Sequence, residues 1–179
     1  SALFLAERET PVSGAAVFAG MEGTRPMLVE IEALVSPSPL GTPRRAVVGW
    51  DSARLAMILA VLETRCGLAV GANDVYLNVA GGLRVSEPAA DLAVVAALVS
   101  SLGDRPVPER TVAFGEIGLS GEVRPVAHTE ARLREASKLG FTRALMPPPH
   151  GSIAAGMECI EIVRLPDIVQ QLADVSDLT

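Results

Sequence analysis

GGLRVSEPAADLAVVAALVSSLGDRPVPERTVAFGEIGLSGEVRP, Gly81 to Pro125, is the stretch on which the fold turns. Gly81 and Gly82 mark a turn, and the Ala-Val-Leu run behind them predicts a helix from about Ser86 to Leu102. Pro88 falls in the first helical turn, where a missing N–H is tolerated, and Ser86 offers the side-chain oxygen that an N-cap uses. The Ala-Val-rich centre is apolar on most faces, the pattern of a buried helix. After the GDRPVPER loop, TVAFGEIGL and GEVRPV read as a hairpin around Leu119-Ser120-Gly121.

Upstream, GAAVFAGMEG and RPMLVEIEALV read as two strands joined by a Gly-Thr-Arg-Pro turn. In the second, Met27, Val29, Ile31 and Ala33 share one face and Glu30 and Glu32 the other, which predicts a half-buried strand. SPSPLGTPRR, Ser36 to Arg45, is a surface loop, and AVVGW a short strand. Asp51 or Ser52 caps the next helix, in which Leu55, Ile58, Leu59 and Leu62 repeat at three- and four-residue spacing until Gly67. DVYLNVAG is a strand leading back to the glycine turn. Downstream, Thr129 to Leu139 is a helix stopped by Gly140. TRALMP and CIEIVR alternate with helical patterns ending in LPDIVQQLADV. Strand, helix and hairpin alternate throughout, which predicts a mixed α/β layered domain; residues 1–179 are expected to form one such domain.

Hydrophobic residues make up 49% of the chain but aromatics only 3%, so the core is built from Ala, Val, Leu and Ile. The net charge of −6 argues against sequence-independent nucleic-acid binding over the whole surface, because that affinity comes from neutralised phosphates. Cys66 and Cys159 are far apart and lack C-x-x-C spacing, so neither a disulfide framework nor a zinc site is expected. No apolar run approaches the roughly 20 residues of a membrane span, and SALFLAERE has no basic segment ahead of an apolar one. A cytoplasmic chain is expected. The lack of an initiator methionine leads to the expectation of a fragment excised from a longer protein.

Pro88-Ala89-Ala90-Asp91, and the FGEIGLSGEVRPV block (Phe114 to Val126) followed by Ala127-His128-Thr129-Glu130, resemble the proteolytic domain of the Lon family. There a Pro-Ser-Ala-Gly segment opens the nucleophile helix and a Gly-Gly-Leu-Lys segment delivers the base. The resemblance places Ala89 at the serine position and Glu130 at the lysine position. It is closer still to the C-terminal domain of the RadA (Sms) family of bacterial DNA-recombination ATPases, through MEGTRPMLVEIEALV, GTPRRAVVGWDSARLAMILAVLE, GGLRVSEPAADLAVVAALVSSL and GEIGLSGEVRPV. It implies a Lon proteolytic-domain-like, ribosomal protein S5 domain 2-like fold. An unactivated hydroxyl needs a base beside it, so a chain missing both partners is expected to be catalytically inactive.

The residues that could restore chemistry are few. Lys138, the single lysine, lies eight residues beyond Glu130, about 12 Å along a helix, and reads as a solvated residue near the helix C-terminus. Ser86 and His128 lie near the two lost positions, but no third residue is identifiable to orient the imidazole. His150 reads as a loop residue without metal-ligand spacing. Asp91 stands where the resembled family has a glycine. It and Glu87 would repel an oxyanion, or simply cap the helix. No G-x-x-x-x-G-K-[ST] loop is present, so this chain alone is not expected to bind or hydrolyse nucleotide.

By resemblance, the domain is expected to serve as the oligomerisation platform of a RecA-type ATPase that forms a hexameric ring and drives branch migration in DNA repair. ATP, Mg and Zn are expected in upstream domains and no cofactor in this chain. The partners implied are further copies of the chain, DNA, a recombinase, and no membrane. A second expectation is contact with duplex DNA through Arg44 and Arg45, with Arg84, Arg105 and Arg110 as weaker candidates, since arginine suits phosphate; scattered arginines also serve as solvated charges or as partners of Glu and Asp. A third keeps serine peptidase activity through an unrecognised nucleophile.

Overall fold

The two periodicities of the sequence become one mixed sheet with helices packed against it. The computed structural model describes residues 2–4, 10–39, 41–149 and 156–176. The strands and helices, in chain order, are β1 (Ala2–Phe4), β2 (Ala15–Glu22), β3 (Arg25–Pro37), β4 (Arg45–Val48), α1 (Ser52–Cys66), β5 (Asn73–Val79), α2 (Asp91–Gly103), β6 (Thr111–Ala113), β7 (Glu116–Ile117), β8 (Val123–Arg124), α3 (Thr129–Lys138), β9 (Arg143–Met146), β10 (Glu158–Glu161) and α4 (Leu165–Ser176). The main sheet runs β10-β9-β6-β2-β3-β5-β4, with β1 also on β3, and β7 and β8 form a separate ribbon. β2–β3 and β3–β5 are antiparallel and the other pairings of the main sheet are parallel, so the fold is mixed α/β.

α2 forms the centre of the core. Every side chain from Leu92 to Leu98 is buried, as an all-round apolar helix demands. Its polar end is used as well. Ser100 Oγ accepts from Gly14 N at 2.9 Å, and Ser101 Oγ accepts from Val35 N at 2.9 Å, fastening the helix to the start of β2 and the end of β3. α1 opens on Asp51, whose side chain accepts from Ala53 N, and closes on left-handed Gly67, and its buried face carries Leu55, Ile58, Leu59 and Leu62 as the spacing predicts.

Three local readings change. The β2–β3 loop is only Gly23-Thr24, because pairing continues to Glu22 opposite Arg25, so Arg25 and Pro26 belong to the strand. TVA of TVAFGEIGL is not a hairpin arm. It pairs in parallel with β2 and β9, and the hairpin shrinks to β7 and β8. Glu30 does not face solvent: it is 4% exposed, in the middle of a sheet whose strands β2 and β3 both pack against α2 and α3. The cover ends toward β4, where Leu34 and Val48 are 58% and 60% exposed. His150 lies outside the described residues.

Candidate functional site: two buried ion pairs at the start of α2

Ala89 lies in a 3-10 turn, Pro88–Ala90, that leads into α2, and its methyl group is buried. Ser86 is exposed and is not the N-cap. The helix start is held by backbone instead: Gly115 N donates to Ala89 O at 2.8 Å, and Leu92 N donates to Gly115 O at 3.0 Å. Gly115 is required for this closeness, since a Cβ there would stand 2.8 Å from Val123 Cγ1.

Asp91, fully buried, turns from the helix start to Arg54 in the first turn of α1. Arg54 Nε donates to Asp91 Oδ1 at 2.5 Å, Arg54 Nη2 donates to Oδ2, and Ile117 N donates to Oδ2 at 2.9 Å. Burial pushes the Asp91 carboxyl above its ordinary value, against the opposing pull of the guanidinium and the amide. The same contact, led by the hydrogen bond to Asp91, raises Arg54. Asp91 is therefore neither a helix cap nor a charge aimed at a substrate. It welds α2 to α1 and to β7.

The second pair is Arg132 with Glu87. The Arg132 side chain is 1% exposed, and each nitrogen of its guanidinium has an acceptor. Nε donates to Ala127 O at 2.9 Å, Nη1 to Ala19 O at 2.9 Å and to Glu87 Oε1 at 3.1 Å, and Nη2 to Glu87 Oε2. Its carbon centre sits 5.7 Å from the centroid of Phe114, within cation–π range. Glu87 Oε1 also accepts from Met21 N at 3.0 Å. One buried guanidinium thus joins α3, β2 and the approach to α2.

The residues singled out from sequence do not converge on a reactive group. Glu130 is exposed and turns along its own helix to Arg134, 3.3 Å away. His128 is exposed and left-handed (φ 62°), one position before α3, with no side-chain capping bond. Lys138 is exposed, its Nζ 3.9 Å from Glu135. Arg54 and Arg132 were not anticipated. The available signal was an arginine next to the apolar stripe of each helix, at Arg54-Leu55 and Arg132-Leu133.

Beside this closed region lies a cleft of about 420 Å³ between the β2–β3 hairpin and residues 83–87, lined by Phe18, Met21, Met27, Val29, Leu83 and Val85, among others. Exposed Arg84 stands at its rim, near the C-terminal end of β5. The other candidate arginines lie at the opposite end of the sheet. Arg45 donates to the carbonyls of Arg44 (3.1 Å), Asn73, Val70 (3.4 Å) and Gly71 (3.4 Å). Arg44 is exposed; its backbone N–H, donated at 2.7 Å, holds the Asp74 carboxyl below its usual range. Arg105 and Arg110 line a cleft of about 580 Å³ together with Arg143, Asp104 and Glu109. Arg110 is held at φ 56°, its carbonyl accepting from both Thr142 N and Arg143 N. β4 and β6 point the same way, so the Arg44–Arg45 and Arg105–Arg110 pairs share one end of the sheet. Three strands lie between them, a separation of roughly 20 Å at about 4.8 Å per strand.

Among the described residues no group of three or more His, Cys, Asp or Glu is placed to hold a metal ion, and no helix is long and apolar enough to cross a membrane. Residues 40–150 match the family model described as subunit ChlI of Mg-chelatase. Over 175 residues the chain is 61% identical to the DNA repair protein RadA of Brucella abortus, covering 97% of this chain and 38% of that protein. It is 56% identical over 145 residues to the DNA repair protein RadA of Rickettsia bellii, covering 81% of this chain and 32% of that protein. It is 46% identical over 176 residues to that of Mycolicibacterium smegmatis, covering 98% of this chain and 38% of that protein. The chain thus spans less than two fifths of the length of each of these relatives.

Proposed function

The chain belongs to the family described as subunit ChlI of Mg-chelatase and is homologous over nearly its whole length to proteins named DNA repair protein RadA; from that premise we propose that it is a non-hydrolytic domain of a DNA repair protein, working as an assembly platform. The observation that carries the reading is the replacement of the dyad. The serine position holds a buried methyl at Ala89, the lysine position holds an outward Glu130, and the start of the helix is closed by Arg54–Asp91 and Arg132–Glu87. A nucleophile there would lack both a base and a mobile, solvent-filled site. What such ion pairs supply is rigidity between α1, α2, α3 and the sheet.

In the longer proteins, the platform would hold RecA-type ATPase units in a ring during branch migration, with ATP, Mg and Zn bound outside this chain. Ring closure needs head-to-tail contacts between unlike faces. Two measurements test the proposal. The chain itself is expected to cleave no unfolded protein and to take up no serine-reactive probe, and labelling of any of its serines would overturn the inert reading; Ala89→Ser, Glu130→Lys is expected to stay unlabelled as well, because Asp91 and Arg132 still close the helix start. Removing this domain from the longer protein is expected to abolish its ring by light scattering. A ring that survives would end the platform role.

As a second reading, duplex DNA would contact the cleft where Arg105 and Arg110 stand with Arg143, although Asp104 and Glu109 also line it and Arg143 is paired with Glu158 at 3.1 Å. Arg110→Ala, read by salt-dependent DNA binding, is expected to reduce the slope of log affinity against log salt by about 0.9 for each phosphate that is no longer neutralised. An unchanged slope would place the DNA elsewhere on the domain.

A further inference from the structure

Residues 83–87 run extended with one backbone edge left open. Leu83 and Glu87 have strand-like dihedrals (φ −81°, ψ 155° and φ −76°, ψ 123°), and Leu83 and Val85 are half-buried while Arg84 and Ser86 are exposed, the alternation of a strand. The segment belongs to neither sheet. Val85 donates its N–H to Gly49 O at 2.8 Å, and Leu83 O approaches Gly49 so closely that a Cβ there would stand 2.5 Å from it. In extended backbone the N–H and C=O of successive residues point to opposite sides, so Arg84 and Ser86 turn theirs away from Gly49. Among the described residues nothing hydrogen-bonds to either of them.

The segment walls the cleft of about 420 Å³, which Gly49 does not line. Opposite stands the β2–β3 hairpin. By register Phe18 faces Val29 and Gly20 faces Met27, so all four share the face that floors the cleft. Gly20 keeps the floor low, since a Cβ there would stand 2.6 Å from the Phe18 ring. Met21 and Met27 supply side chains that adapt to a guest. Arg84 on one wall and Glu22 on the other are exposed and carry no ion pair among the described residues. Glu87 lines the cleft too, but Arg132 and Met21 N–H hold its carboxylate.

Free main-chain donors and acceptors beside an apolar floor are how a strand edge recognises an extended chain. A small apolar molecule would leave the amides of Arg84 and Ser86 idle, and a nucleic acid would bring its phosphates against Glu22. We propose that this cleft docks an extended peptide segment of a partner protein, laid as an added strand along residues 84–86, with apolar side chains in the cleft, an acid toward Arg84 and a base toward Glu22. The peptide stays uncut, and only that clause rests on the inert reading.

The probe is a fluorescein-labelled, end-blocked peptide, Asp-Val-Thr-Val-Thr-Val-Lys, followed by anisotropy with the whole chain. Saturable binding is expected, and about tenfold weaker binding with Ser86→Pro, which removes an open N–H. Arg84→Glu, at an exposed position, is expected to weaken it as well, with the fold of both variants checked by urea unfolding. Because an added strand shows only one edge to the protein, N-methylation of the valines or of the threonines abolishes binding, and the other set leaves it intact. Absence of saturable binding, indifference to both substitutions, or equal effects of the two methylated sets would overturn the proposal. So would displacement of the probe by a single-stranded DNA oligonucleotide, which assigns the cleft to nucleic acid. Mass spectrometry separates the two readings: a probe that binds and is cut overturns the inert reading, whereas a probe that never binds overturns the cleft alone.

Discussion

Arg132→Met is expected to lower the unfolding free energy by about 2–4 kcal/mol, somewhat less than the loss from breaking a fully enclosed ion pair, because the Glu87 left behind is 23% exposed. The substitution keeps most of the volume, so the effect is electrostatic and not a cavity. Glu87 loses its counter-charge, and the carbonyls of Ala19 and Ala127 lose their donor. Arg132→Lys recovers only part of the loss, because one ammonium cannot reach acceptors that a planar fork serves from three nitrogens. Replacing the pair together, Arg132→Met with Glu87→Leu, removes both charges and is milder than Arg132→Met alone. It still strands the carbonyl of buried Ala19, at about 1–3 kcal/mol for a group left buried and unsatisfied, whereas water can reach the carbonyl of exposed Ala127 and the N–H of half-buried Met21. Urea unfolding followed by the fluorescence of Trp50, the single tryptophan, which is buried, reads all three variants. A loss below about 1 kcal/mol for Arg132→Met would mean that the pair behaves as a surface pair.

Arg54→Ala is expected to cost about 3–5 kcal/mol near neutral pH, because the charge it leaves without a partner, Asp91, is fully buried. Its signature is the dependence on pH. Asp91 already has a carboxyl raised by burial, and without Arg54 it rises further. A carboxyl whose folded value exceeds its unfolded value binds its proton more tightly in the folded state. Its contribution to stability is fully present below the unfolded value and is lost as pH rises through the folded one. The deficit of Arg54→Ala relative to the parent is therefore smallest in acid and grows toward neutrality. Asp91→Asn removes the charge and should flatten this difference. It leaves Arg54 near Glu116, 3.9 Å away, and partly in water, so its own cost is smaller. A deficit that does not change between mild acid and neutral pH would show that Asp91 is not the group that suffers.

How far the site could be read from sequence depended on the range of the interaction. The proposal of an inert site could be framed from sequence because Pro88-Ala89-Ala90-Asp91 and Ala127-His128-Thr129-Glu130 sit within short motifs that can be compared residue by residue with a catalytic family. The role of Asp91 was not. As a sequence feature it is an acid in a first helical turn, for which capping is the ordinary explanation. Its arginine lies thirty-seven residues away on another helix, and no local pattern links them. Ser86 was misplaced for a similar reason: Gly115, across the fold, supplies the backbone bonds that a capping serine would otherwise make.

Period-two and helical spacing, read over a dozen residues at a time, were enough to establish strands at Ala15–Glu22 and Asn73–Val79, helices at Ser52–Cys66 and Thr129–Lys138, and an aliphatic core around α2, because these patterns arise from backbone geometry within one element. Only the tertiary structure decided that TVA joins the main sheet, that Glu30 is covered, and that Arg54 and Arg132 hold the start of α2 shut. Each depends on which elements become neighbours. A buried charge or an open strand edge is satisfied by whatever the packing brings to it, and that neighbour can stand anywhere along the chain.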